Sequence, residues 1–117
     1  GKQIAVKKGT TGATYANKVA AEKGLKVVEF DNSPAMFLDV ANGNSTALIE
    51  DYPVISYAIA QKDLGLKIVG ERLNGDQYGI AVLKGENKDL LKKIDAGLAD
   101  LKESGEYDKI IKTYLSE

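Results

Sequence analysis

Apolar residues along this chain switch between two spacings, and the switching predicts an architecture. Ile4-Ala5-Val6 is a short apolar run followed by a polar, Gly-containing stretch at 7–12, which predicts a buried strand and a loop. Over 13–23 the small residues Ala13, Ala16, Val19 and Ala20 mark one face of a helix, and Gly24 suits its left-handed end. Residues 26–30 read as a second strand. Asp31-Asn32-Ser33-Pro34 predicts a helix start, with Ser33 as the cap and Pro34 at the first helical position. Met36, Phe37, Val40 and Ala41 form the expected buried face of that helix, and Asn42-Gly43-Asn44 stops it.

The second half continues the alternation. Residues 46–50 predict a third strand, and Asp51-Tyr52-Pro53 leads into a helix with Val54, Ile55, Ala58 and Ile59 facing inward. Residues 66–70 and, after the turn signal Asn74-Gly75-Asp76, residues 78–83 read as fourth and fifth strands. Leu90, Leu91, Ile94, Leu98 and Leu101 stripe a longer helix, Ser104-Gly105 breaks it, and Tyr107, Ile110, Ile111, Tyr114 and Leu115 stripe a last one. Strands alternating with helices imply a three-layer α/β fold: a mostly parallel sheet covered on both faces. Right-handed crossovers make 2-1-3 the expected order for the opening βαβαβ, with two further helices at the C-terminal end.

Composition narrows the function more than the fold. The chain has 117 residues, enough for one domain with one core. Its 16 basic and 17 acidic residues leave a net charge of −1, so no basic surplus favours nucleic acid. Cysteine and histidine are both absent, which removes disulfides, thiolate nucleophiles, Ser-His-Asp chemistry and almost every zinc or transition-metal site. No metal, no cofactor and no catalytic residue are expected. No apolar run approaches the roughly 20 residues that span a bilayer. The chain opens directly on Gly1-Lys2-Gln3-Ile4 without a signal-peptide pattern, which fits a mature protein or a piece of a longer one.

In a parallel sheet of order 2-1-3, ligands bind at the carboxyl ends of strands 1 and 3, where the strand order reverses. The two most polar strand ends fall there: Lys7-Lys8-Gly9-Thr10-Thr11-Gly12 and Glu50-Asp51. Gly9 and Gly12 permit close backbone approach, the next helix presents unpaired N–H groups, and Thr10 and Thr11 add hydroxyls, a combination suited to a carboxylate or phosphate. The spacing is not that of a Walker A loop. Helix capping by Thr10 or Thr11 explains the same residues as well. Asp51 is placed for an ammonium group or for a cap, although Tyr52 would be the more natural cap residue beside Pro53. Of Lys7 and Lys8, one reaches the cleft and the other is solvated, because side chains alternate along a strand. Glu50 and Asp51 point to opposite faces if the strand continues, which makes them poor partners for one glycosidic bond. Tyr52, Tyr57, Tyr78, Tyr107 and Tyr114 read as packing residues, not as a stacking platform for bases. A phosphate-handling enzyme would need a third carboxylate beside Asp31 and Asp51, and no clear one follows a strand.

Several motifs together resemble the second lobe of bacterial periplasmic binding proteins of the polar amino acid type, the solute receptors of ABC importers. They are Gly1-Lys2 with Ile4-Ala5-Val6, Lys8-Gly9-Thr10-Thr11-Gly12, Ala47-Leu48-Ile49-Glu50-Asp51-Tyr52-Pro53, Gln77-Tyr78-Gly79-Ile80-Ala81-Val82, and the run 101–110. The resemblance implies a type II receptor fold, a glutamine-like ligand, extracytoplasmic location and ABC permease subunits as partners. It implies that the loop at Thr10-Thr11-Gly12 binds an α-carboxylate, that Asp51 binds an α-ammonium and that Lys7 faces the ligand side chain, with Gly9 and Glu50 in the same site. It divides the single α/β domain 1–117 into a ligand-binding lobe, 1–78, and a return strand with C-terminal helices, 79–117. These last would pack on a first lobe, or else on a second copy of the chain. The first lobe of such receptors normally supplies aromatic side chains and an arginine, and Arg72, the one arginine here, is not in the matching position. An amino acid-sensing regulatory domain of the same fold is the alternative reading.

Overall fold

The computed structural model describes residues 1–75 and 77–115. By compactness these fall into two units, Gly1–Gly70 and Glu71–Glu117.

The first unit is a three-layer α/β structure. Its elements are β1 (Gln3–Lys7), α1 (Thr11–Lys23), β2 (Lys26–Phe30), α2 (Ser33–Ala41), β3 (Ala47–Ile49) and α3 (Tyr52–Gln61). The strands form a parallel sheet in the order β2-β1-β3, as the patterning predicts. The register pairs Val6 with Glu29 on one side and with Ile49 on the other. All three carboxyl ends therefore lie along one edge, and each feeds the start of a helix.

Alternation along β1 divides the core. Ala5 packs with Met36 and Phe37 of α2 and Ile55 of α3, while Val6 packs with Ala13 and Ala16 of α1. Helices thus cover opposite faces, α1 on one and α2 with α3 on the other, as right-handed crossovers through order 2-1-3 require. Ala13 and Ala16 are small because α1 lies close over the sheet, and a Cβ on Gly12 would come 3.1 Å from the Ile49 Cγ2 and 3.2 Å from its carbonyl oxygen. At the opposite edge the Gln3 Nε2 donates to the buried Ser45 hydroxyl at 2.9 Å, tying β1 to the entry of β3.

Boundary residues depart from expectation in instructive places. Gly24 ends α1 in the left-handed region (φ 61°), as expected. The cap of α2 is Asn32, whose side chain accepts from the Ala35 N–H at 2.9 Å, so Ser33 lies inside the helix. Asn caps as well as Ser, and the shift frees the Ser33 hydroxyl for another partner. Ala41 and Val54, expected inside, are exposed, because α2 and α3 turn narrower faces to the sheet than a four-residue stripe.

The fourth and fifth strands are corrected by the structure: 66–70 and 78–83 carry the β pattern but belong to no sheet. A strand exists only through a ladder, and among the described residues β3 has no neighbour on its outer edge. Leu64 and Leu66 still pack against the Ala5 cluster. Asp76, part of the predicted turn, lies outside the described residues.

The second unit contains α4 (Lys88–Glu103) and α5 (Glu106–Tyr114), joined through Gly105 at φ 78°. The ammonium of Lys102 lies 5.5 Å from the centroid of the Tyr107 ring, and Glu106 pairs with Lys109 one turn on. Both helices are strongly amphipathic in pattern, yet neither has a buried residue; Leu90, Leu98, Leu101, Ile110 and Tyr114 are all exposed.

Candidate functional site

The carboxyl edge of the sheet brings together the loop 8–10, the turn 31–32 and the pair Glu50-Asp51. β1 lies between β2 and β3, so the connections from β1 and β3 leave toward opposite faces and open a crevice between them.

On the β1 side, Thr10 is the cap of α1. Its hydroxyl accepts from the Ala13 N–H at 3.2 Å and donates to the Lys7 carbonyl at 2.7 Å. That hydroxyl is committed to the fold, which settles the local role of Thr10 as a cap. Thr11 follows at the start of the helix and is exposed. Gly9 holds φ 72°, a conformation that favours glycine, and lets the chain turn from strand into helix within the loop. The Lys8 N–H donates to the Phe30 carbonyl at 2.9 Å, so the loop is also fastened to β2.

On the β3 side, Asp51 occupies the cap position of α3, not Tyr52, yet its side chain makes no capping hydrogen bond. The backbone carbonyl of Asp51 accepts from Val54 and Ile55 N–H instead, at 3.0 and 3.1 Å. Asp51 thus lies at the carboxyl end of β3 with a side chain that carries no capping duty.

The residue sequence reasoning left open, Glu50, is the best-anchored group of the edge. Its side chain is 2% exposed. One carboxylate oxygen, Oε2, accepts from the Ser33 hydroxyl at 2.6 Å and lies 3.6 Å from the Lys7 ammonium. The other, Oε1, accepts from the Asp51 N–H at 3.0 Å. Lys7 in turn donates to Ser33 at 3.0 Å and keeps a side chain 30% exposed. Lys8 is exposed, so Lys7 is the lysine the edge uses. Ser33 was missed as a site residue because its position suggested a cap. A usable signal existed: Lys7 has the parity of Ala5, and Glu50 that of Leu48, so both point to the face α2 covers.

No cluster of carboxylates suited to a metal ion occurs among the described residues. A separate concavity of about 470 Å³ lies between α2 and the end of α3, lined by Pro34, Phe37, Leu38, Ala41, Ala58 and Leu64 with Lys62 and Asp63 at its rim. Its walls are apolar and lack the convergent polar groups that orient a small polar ligand, so the crevice is the better candidate.

The polar carboxyl edge of a 2-1-3 parallel sheet, with two strand-patterned segments outside that sheet, has counterparts among known proteins. The sequence profile of bacterial extracellular solute-binding proteins, family 3, matches residues 1–117. The chain belongs to this family. Its members are solute-binding proteins, not enzymes. Among relatives, the chain is 32% identical to the ABC transporter glutamine-binding protein GlnH of Bacillus subtilis over 117 residues, covering 100% of this chain and 41% of the relative. It is 40% identical to the arginine-binding periplasmic protein of Mannheimia haemolytica, covering 93% of this chain and 46% of that protein. Among solved structures, the open form of the second substrate-binding domain of Lactococcus lactis GlnP is similar (41% identity, TM-score 0.73, 100% of this chain and 50% of that one). An ancestral arginine-binding protein bound to arginine is also similar (38% identity, TM-score 0.79, 99% and 51%). The chain spans about half the length of the family members it matches. Among the described residues no helix is long and apolar enough to cross a membrane.

Proposed function

We propose that this chain is one lobe of an extracytoplasmic receptor for a polar amino acid, serving an ABC importer, with glutamine as the leading ligand. The observation that carries the reading is Asp51, a carboxylate residue at the carboxyl end of β3 that holds a helix cap position without a side-chain capping bond. A carboxylate so placed suits an α-ammonium through charge-assisted hydrogen bonds. Across the crevice, the turn at Gly9 to Gly12 and the start of α1 offer backbone N–H groups to an α-carboxylate. Thr10 contributes there through its backbone, since its hydroxyl is engaged, and Thr11 through backbone and hydroxyl. Lys7 faces the ligand side chain, with Glu50 behind it.

Relatives named for glutamine and for arginine support an amino acid as the ligand class. In this reading residues 1–78 form the ligand lobe, and 79–117 complete a first lobe that closes on the ligand. The exposed faces of α4 and α5 are the surfaces for that lobe or for a second copy of the chain. Half a clamp leaves much of the ligand in water, so calorimetry of this chain with L-glutamine is expected to give a Kd of about 1 mM, abolished by Asp51→Ala. Sub-micromolar binding by this chain alone would contradict the half-site reading. Undiminished binding in Asp51→Ala would remove the ammonium assignment.

A further inference from the structure

We infer that Glu50 sets the discrimination between neutral and anionic ligand side chains by neutralising Lys7 from inside the fold. The inference rests on the amino acid reading above and deepens it.

Three observations carry it. First, the Glu50 side chain is 2% exposed, so it does not act by touching a ligand in the crevice. Second, it is held at both oxygens: Oε2 by the Ser33 hydroxyl at 2.6 Å, Oε1 by the Asp51 N–H at 3.0 Å. An interior carboxylate is retained only where its charge and lone pairs are met, and here Lys7 supplies the charge at 3.6 Å. Third, Lys7 is 30% exposed and its second partner, Ser33, belongs to the same network. Its ammonium can donate a hydrogen bond to a ligand, but its charge is already balanced from behind.

A lysine in that state favours a carbonyl oxygen over a carboxylate more than a lone lysine would. An amide side chain gains the hydrogen bond, whereas an anionic one gains the same bond and meets the field of the Glu50 carboxylate just behind. Asp51 adds negative charge at the same edge, and Lys8 and Asp31 are exposed and solvated. Glu50 thereby acts as a positioning and specificity residue, not as a ligand contact. It also accepts from the Asp51 N–H, so one side chain ties the lysine that faces the ligand side chain to the backbone of the ammonium contact.

The test is NMR titration of the whole 117-residue chain with L-glutamine and L-glutamate in wild type, Glu50→Gln and Lys7→Met. Glu50→Gln removes the charge, keeps its one carbonyl oxygen as acceptor for the Asp51 N–H, and turns its NH2 toward the Ser33 hydroxyl, which then accepts in place of donating. The ratio of glutamine to glutamate affinity is expected to fall about tenfold in Glu50→Gln and to rise about tenfold in Lys7→Met, since opposite charges are left unbalanced. Salt should shrink both shifts. If Glu50→Gln fails to fold, the double variant Lys7→Met/Glu50→Leu takes its place: a ratio that falls back toward wild type from the Lys7→Met value supports the role of Glu50, and one that stays at the Lys7→Met value overturns it. A ratio within about twofold of wild type in the folded single variants, with glutamine still bound, overturns the role of Glu50 and leaves the amino acid reading intact. No binding of either amino acid by wild type at about 50 mM overturns both.

Discussion

The two units of this chain are built from the same kinds of amphipathic segment, and only one of them uses those segments to make a core. In Gly1–Gly70, the apolar stripes of α1, α2 and α3 meet two faces of one sheet, and Ala5, Val6 and Met36 are fully buried. In Glu71–Glu117, α4 and α5 carry more sharply segregated apolar faces, yet no residue of either helix is buried. The difference lies not in pattern but in the presence of a partner surface. An amphipathic helix gains most of its stability from packing, and a two-helix hairpin offers too little area for that.

The largest expected effect would break the core of the first unit. Met36→Ala removes a fully buried side chain between α2 and the sheet and should destabilise that unit by about 2–5 kcal/mol, read from urea unfolding by circular dichroism. A loss below about 0.5 kcal/mol would mean that the α2 face packs less tightly than this core implies.

A smaller effect is expected at the crevice itself. Gly12→Ala places a methyl 3.1 Å from the Ile49 Cγ2 and 3.2 Å from the Ile49 carbonyl, so Ile49 or the start of α1 must give by a few tenths of an ångström. The crowding is offset by the better helix propensity of alanine, so a net cost of about 0–2 kcal/mol should appear in the same unfolding experiment, with weaker glutamine binding if loop 8–10 moves with the start of α1. A variant as stable as wild type with unchanged binding would show that α1 has room the structure does not display.

The smallest effect sharpens the contrast from the other side. Leu98→Lys lies on the exposed stripe of α4 and should change the stability of the isolated chain by no more than about 0.5 kcal/mol. Its consequence should appear in association: light scattering at high concentration is expected to show less self-association, because exposed apolar stripes invite partners. A cost comparable with that of Met36→Ala would place Leu98 in a core of its own.

The polar carboxyl edge is legible in the sequence ahead of the fold. The loop 8–12 and the pair Glu50-Asp51 follow from strand ends and the 2-1-3 order, and both lie on the carboxyl edge. What local pattern leaves undetermined is the division of labour among polar side chains. The pattern leaves Thr10 and Asp51 each readable as cap or ligand contact, with capping the more natural for the threonines and Tyr52 the more natural cap beside Asp51. In the structure Thr10 caps through its hydroxyl and Asp51 holds a cap position without capping. Glu50 and Ser33, separated by 17 positions, become partners only because α2 crosses over β1.

By itself, the sequence determined the alternation of strands and helices through residue 61, the parallel order and the polar edge, because hydrophobic periodicity and turn residues act over a few positions. Tertiary structure decided what depends on distant partners. Residues 66–70 and 78–83 have strand sequences but no ladder, since a strand is defined by its neighbour. Lys7 became the charge partner of an interior carboxylate, since burial of Glu50 requires one.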